Sequence, residues 1–157
     1  ENGEGRDIEV FAGDSNETLP LFLKENPIRP SEATFCLLDQ RTTECDWATV
    51  SAVANHKEAG RKIELFYFLA QGWIDRSMSR KKDDGKLRSW GNESWSELVD
   101  LPSPQRGMLL ARRFKEEFKY KYSQPFPIFE NPGSSRVMFW MVNASEHPAA
   151  IKLMVQA

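Results

Sequence analysis

Cysteine and histidine are scarce in this chain, two of each in 157 residues, and the first consequences are exclusions. Cys36 and Cys45 are too few for a disulfide framework and lack metal-ligand spacing, which fits a reducing compartment. His56 and His147 each stand without a neighbouring cysteine or second histidine, so neither reads as a metal ligand. No apolar run approaches the roughly 20 residues of a bilayer-spanning helix, and no signal peptide is visible. An excess of one charge is missing too. The formal net charge is −2, so no overall basic field draws the chain to nucleic acid or anionic lipid. No Ser, His and Asp arrangement and no pair of carboxylates stands out. These absences leave a cytoplasmic protein as the expectation.

What is present suffices for one core. With 40% hydrophobic residues over this length, a single domain spanning 1–157 is expected. The stretch 33–54 organises it. Thr34, Phe35, Cys36, Leu37 and Leu38 are too continuously apolar for a strand with one wet face, which predicts an interior parallel strand covered by helices on both sides. Asp39 follows at its carboxyl end, the edge where open α/β sheets bind ligands because their loops diverge there. Asp46 can cap a helix whose inward face is Trp47, Val50, Val53 and Ala54, with a polar stop ending at Gly60. Residues 63–70 are again aromatic, β-branched and nearly all apolar, predicting a second interior strand and a right-handed βαβ unit. Leu37, Leu38, Leu65, Phe66 and Phe68 are then expected to be buried between helix layers. Residues 71–78 fall on the same rim as Asp39.

Before this unit, Ile8, Val10 and Ala12 alternate with polar neighbours and predict a strand over 7–12. Leu19, Phe22 and Leu23 predict a helix over 15–24, with Ser15, Asn16 or Asp14 as its N-cap. After the unit, 79–104 shows the least order: Arg80, Lys81, Lys82, Asp83 and Asp84 read as a solvated loop, while Trp90 and Trp95 suggest packing back on the core. Leu110, Phe114 and Phe118 mark an amphipathic helix over 106–122. Strands over 126–129 and 137–142 flank Asn131, Pro132, Gly133 and Ser134, where Pro-Gly suits a type II turn and an antiparallel hairpin. Ser145 and Pro148 open a last helix with Ala150, Ile151, Met154 and Val155 on one face. The expected class is α/β, a doubly wound, mostly parallel sheet with a terminal antiparallel hairpin.

Three βα units followed by a hairpin resemble the end of a class I S-adenosylmethionine methyltransferase fold. More particularly, FCLLDQRTTECDW at 35–47, GWIDRSM at 72–78 and the tail with FKYKY, PFPIF and FWMVNASEHPAAIKLM look like the three-Cys-motif partner protein family. The ordered series carries this likeness over most of the chain. The resemblance implies a bacterial methyltransferase-like fold with no settled substrate, S-adenosylmethionine as the cofactor of the complete domain, and a three-Cys-motif protein as partner. It makes GDSNETLP at 13–20 similar to the third motif of that fold, where Asp14 lies near the adenine. Where the family has Asp-Pro-Tyr-Gly, this chain has Asp39, Gln40, Arg41 and Thr42, keeping the acid and losing the proline, aromatic and glycine. Strand one with its glycine loop and strand two with the ribose-binding acid have no counterpart before Asp7, so the likeness is to the carboxyl-terminal part of the fold.

The candidate site follows from these placements, and each residue has a structural reading beside the functional one. Asp39 and Arg41 are the catalytic candidates, Asp14 and Asp39 face the cofactor, and Gln40, Trp73 and Arg76 hold substrate. Against this, Asp39 and Asp14 could simply cap helices or loops, Arg41 could pair with Glu44 or Asp46, and Trp73 could be packing. Arg80, Lys81, Lys82, Lys86 and Arg88 offer a contact for a nucleic-acid acceptor. Two functions stay open: part of a methyltransferase, and a non-catalytic partner of the same fold that binds another protein. The chain by itself is expected not to bind S-adenosylmethionine appreciably. The apolar edge of the strand over 34–38 is expected to be covered by the 7–12 strand moving inward, by another chain, or by residues outside this sequence.

Overall fold

Four stretches with leucine, aromatic or β-branched residues pair into one sheet: β1 (Phe35–Leu38), β2 (Glu64–Leu69), β3 (Tyr122–Phe129) and β4 (Val137–Ser145). The computed structural model describes residues 8–77, 88–92, 94–150 and 152. The strand order is β1-β2-β4-β3, with β1 parallel to β2 and β4 antiparallel to both β2 and β3. The sheet is therefore mixed by pairing, where a mostly parallel one is expected from the sequence. In direction, β1, β2 and β3 still agree, and β4 alone runs against them. The hairpin forms as expected: Ser134 N–H donates to Asn131 O at 3.1 Å, and Gly133 takes a φ of 86° that the second central position of a type II turn requires.

Five helices have both ends among the described residues, α1 (Ser15–Glu25), α2 (Trp47–Asn55), α3 (Gln71–Ser77), α4 (Trp95–Asp100) and α5 (Ser103–Phe118), and 88–90 are helical as well. Asp14 is the N-cap of α1, its carboxylate accepting from Asn16 N–H at 2.8 Å. The amphipathic helix expected over 106–122 is α5, and it stops earlier than its periodicity suggests. Lys119 turns left-handed with a φ of 61°, and Tyr120 then donates its hydroxyl to Ile63 O at 2.7 Å. In the region expected to be least ordered, α4 forms, and Trp90 is buried as expected. Ser145 ends β4, and its hydroxyl accepts from His147 N–H at 3.0 Å before a turn into helix at Ala149. Arg80 to Asp84, and Ile151, Met154 and Val155 of the expected last helix, lie outside the described residues.

The core occupies one face of the sheet. Leu65, Tyr67 and Leu69 of β2 and Trp140, Val142 and Ala144 of β4 are buried together with Val50 and Val53 of α2 and Leu110, Phe114 and Phe118 of α5. Close approach of α5 depends on Gly107, where an added Cβ would come within 2.6 Å of the Trp140 ring. The opposite face is bare by comparison. Phe66 and Phe68, expected to be buried, are only half-buried there, as are Phe139, Met141, Phe126 and Ile128. Phe35 and Leu37 on β1 are 55% and 52% exposed. Leu38 is half-buried, and of the five expected core residues Leu65 alone is fully buried. Edge-to-face contacts of Phe35 with Phe66 and Phe68 with Phe139, centroids 4.9 and 6.3 Å apart, join the strands on this bare face.

Residues 8–12 form no strand, contrary to expectation, and Asp7 lies outside the described residues. Alternation makes a strand only where a neighbour offers a ladder; here Ile8 and Val10 are exposed and Phe11 packs edge-on against Phe22, centroids 5.2 Å apart. The outer edge of β1 is thus not covered from within by that segment.

Candidate functional site at the carboxyl rim of the sheet

Because β1 and β2 are parallel, with Leu38 opposite Tyr67, the chain leaves both strands at the same edge. Asp39, Gln40 and Arg41 follow one, and Gly72, Trp73 and Arg76, carried on α3, follow the other. The convergence expected from the sequence is present. What the residues do there differs among them.

Gln40 is a brace. It is buried, its Nε2 donates to Phe68 O at 3.1 Å, and its Oε1 accepts from Cys45 N–H at 2.9 Å. Both ends of the side chain are thereby satisfied within the protein, so Gln40 holds the 39–46 loop down on β2 and does not face substrate. Asp39 and Arg41 are exposed, and no hydrogen bond or ion pair holds either side chain among the described residues. The pairing of Arg41 with Glu44 or Asp46 is not formed; the guanidinium beside Asp46 is that of Arg88, at 3.9 Å. Trp73 is half-buried and Arg76 exposed. Asp75 on the same helix pairs with buried Arg106 of α5 and accepts from Gln71 Nε2 at 2.9 Å, which fixes α3 against α5.

Asn16 organises the rim, a role that sequence reading missed. Its Nδ2 donates to Glu44 O at 2.8 Å, while its Oδ1 accepts from Asp46 N–H at 2.8 Å and from the Thr49 hydroxyl at 3.0 Å. A residue expected to cap its own helix instead serves the start of α2, where Asp46 makes no side-chain cap bond. The N-termini of α1 and α2 are joined in this way, which brings Asp14 onto the rim beside the 39–46 loop. A recess of about 530 Å³ lies there, lined by Gly13, Asp14, Thr43, Glu44, Asp46 and Arg88. Lys86 and the basic run Arg80, Lys81 and Lys82 lie outside the described residues; Arg88 is described and exposed.

Neither histidine is poised for chemistry. His56 Nε2 accepts from Ile28 N–H at 3.3 Å and His147 Nδ1 from Ala149 N–H at 3.1 Å. Among the described residues no cluster of His, Cys, Asp or Glu could hold a metal ion, and no helix is long and apolar enough to cross a membrane. Both cysteines are unpaired. Burial pushes the Cys36 thiol from 9.0 up to about 11, and burial with the nearby Asp46 carboxylate pushes Cys45 up to about 12. Tyr67 and Tyr120 are pushed up by burial as well. In the unfolded chain these groups lose protons first, so above pH 9.0 the unfolded state binds fewer protons than the folded one. Stability must then fall as pH rises, from 9.0 through about 11 for Cys36 and about 12 for Cys45. Thermal melts across this range should show a steadily dropping midpoint, and Cys36→Ser should flatten the first part of the drop. A midpoint that holds level through the range would show that these thiols are not desolvated.

The rim therefore offers, at the end of β1, a carboxylate and a guanidinium that no group among the described residues engages, with an indole on α3 beside them. Such a set can hydrogen-bond a polar group, pair with an anionic one and stack on a flat one. No protein-family model matches the chain, and no curated protein and no solved structure matches it.

Proposed function

We propose that this chain is a three-Cys-motif partner-like module that supplies the acceptor side of a methyltransferase-like domain of unspecified acceptor, with S-adenosylmethionine as the cofactor of the complete domain. The observation that supports this most is the sheet: β1, β2 and β3 run one way, β4 is inserted between β2 and β3 running the other, and the polar rim stands at the carboxyl ends of β1 and β2. A hairpin that folds its last strand back into a parallel sheet is how the resemblance leads one to expect such a domain to end. In this reading Asp39 accepts a hydrogen bond from the acceptor, Arg41 and Arg76 take its anionic part, and Trp73 stacks on its flat part. Gln40 positions Asp39 through the brace. A nucleic-acid acceptor would draw on Arg80, Lys81 and Lys82, and two unpaired cysteines suit the cytoplasm.

The residues present do not make a cofactor site on their own. Residues 39–46 contain no glycine, Gly72 lies inside α3, and Asp14 is engaged as the cap of α1. The recess beside Asp14 is walled by three carboxylates, Asp14, Glu44 and Asp46, which would repel the carboxylate of an amino-acid-bearing cofactor. Calorimetric titration of the chain with S-adenosylmethionine is accordingly expected to give no micromolar binding, that is, nothing near −8 kcal/mol. Cosedimentation with a three-Cys-motif protein is expected to give a complex. Micromolar cofactor binding by the chain alone would show the pocket to be complete, and failure to cosediment would overturn the partner-like reading. The partly exposed apolar face and the edge of β1, unpaired among the described residues, favour a second reading, a non-catalytic protein that uses this fold to bind another protein.

A further inference from the structure

We propose that β1 is a self-association edge: two copies of this chain pair their β1 strands antiparallel about a two-fold axis at Cys36, making one continuous sheet. The partner is a second copy, and the inference rests on the second reading above, since a complete methyltransferase-like domain would cover this edge with residues outside this sequence.

The argument begins with backbone groups. β1 ends the strand order, and Glu64 N–H donates to Thr34 O at 2.8 Å with Phe35 opposite Glu64 in the register. In a parallel ladder this turns the N–H and C=O of Thr34, Cys36 and Leu38 toward β2, and those of Phe35 and Leu37 outward. Among the described residues no backbone group pairs with that outer edge. Nor does the edge carry the devices that usually guard one, since Phe35–Leu38 contains no proline, no charge and no bulge. Its two outward-bonding residues are the two whose side chains are more than half exposed, Phe35 and Leu37.

A second copy fits because the strand is complementary to itself. With Cys36 on the axis, Phe35 of one copy faces Leu37 of the other, and these two exchange the outward N–H and C=O groups in a hydrogen-bonded pair. Thr34 faces Leu38, and each copy's helices stay on the same side of the joined sheet. Moving the axis to Leu37 would set Phe35 against the Asp39 carboxylate, so apolar matching selects Cys36. At each end of the shared ladder Glu32 falls opposite Gln40, one residue from Arg41, whose guanidinium has no ion partner among the described residues. A ladder of this length makes a small contact, so the dimer dissociates on dilution.

Sedimentation velocity over a concentration series is expected to show a dissociable dimer. Leu37→Lys should weaken it by about tenfold or more, with an unchanged circular dichroism spectrum because Leu37 already stands in water. A second measurement reads the register. Cys36 with its copy is a non-hydrogen-bonded pair, whose Cα atoms lie about 4.5 Å apart, within disulfide reach. Oxidation with copper–phenanthroline, which takes two electrons and two protons from the thiol pair, is expected to give a covalent dimer that Cys36→Ser abolishes; Cys45 is buried and cannot substitute. A chain that is monomeric at every concentration and forms no cross-link overturns the proposal. So does a dimer that ignores Leu37→Lys and does not cross-link through Cys36.

Discussion

Replacing Phe114 with alanine is expected to remove about 3–5 kcal/mol of stability, the cost of emptying a large, fully packed core site. Phe114 has no exposed surface, and its ring meets those of Trp47, Tyr67, Phe118 and Tyr120 at centroid distances of 5.6, 5.9, 5.6 and 6.3 Å. These partners come from α2, β2, α5 itself and the segment after it, so no single element can shift to fill the hole. Against a typical domain stability of about 5–15 kcal/mol, the loss takes a large share. Urea unfolding should show a lower midpoint at an unchanged slope. Phe66→Ala provides the contrast: on the less covered face of the sheet, and partly in contact with water, it should cost only about 1–2 kcal/mol. Equal losses for the two variants would mean that the bare face is in fact covered in solution.

Arg113→Met is expected to cost about 2–4 kcal/mol, although methionine fills much of the same volume. The buried guanidinium lies between two indole faces, 4.0 Å from the Trp47 ring and 4.3 Å from that of Trp90. It donates to both carboxylate oxygens of Glu117, and its Nη1 donates to Trp90 O at 2.7 Å. Glu117 in turn accepts from Trp47 Nε1 at 2.8 Å. Removing the charge takes away both ring contacts and leaves the Trp90 carbonyl without its donor. Glu117 has a side chain 36% exposed and regains water, which keeps the loss below that of a fully buried broken pair. Arg113→Lys should recover little, because an ammonium cannot stack flat between two rings while forking to a carboxylate. Thermal unfolding of the three proteins decides this; a lysine variant as stable as the parent would show that a point charge is enough.

Sequence reading found what local chemistry determines. The inward face of α2, the Pro-Gly turn of the hairpin and the meeting of two loops at one rim all follow from residues close together in the chain. It erred where a distant partner decides. An unbroken apolar run such as 63–70 reports that both faces of β2 tolerate apolar residues, yet Phe66 and Phe68 lie over a face with little on it. The alternation at Ile8, Val10 and Ala12 was a true strand pattern without a neighbouring ladder to complete it. Within the site, Asp39 was legible from its place after a strand. The braces were not, because Gln40 reaches a carbonyl 28 residues away and Asn16 reaches a loop equally far along the chain. A polar side chain near a helix start carries no local sign of which helix it serves.

The position of β4 has a consequence for synthesis. It lies between β2 and β3, pairing Leu69 with Trp140 and Leu65 with Ala144, so the centre of the sheet closes across some of the longest sequence separations in the domain. As the chain leaves the ribosome, β1, α2 and β2 are available long before residues 137–145, and until those emerge Leu65, Tyr67 and Leu69 lack their neighbour. Non-local pairing of this kind forms slowly, and the half-built sheet presents unpaired edges on both of its outer strands. The apolar residues of β2 thus stay uncovered on that side until 137–145 join the sheet, and the native state waits for the last strand of the hairpin.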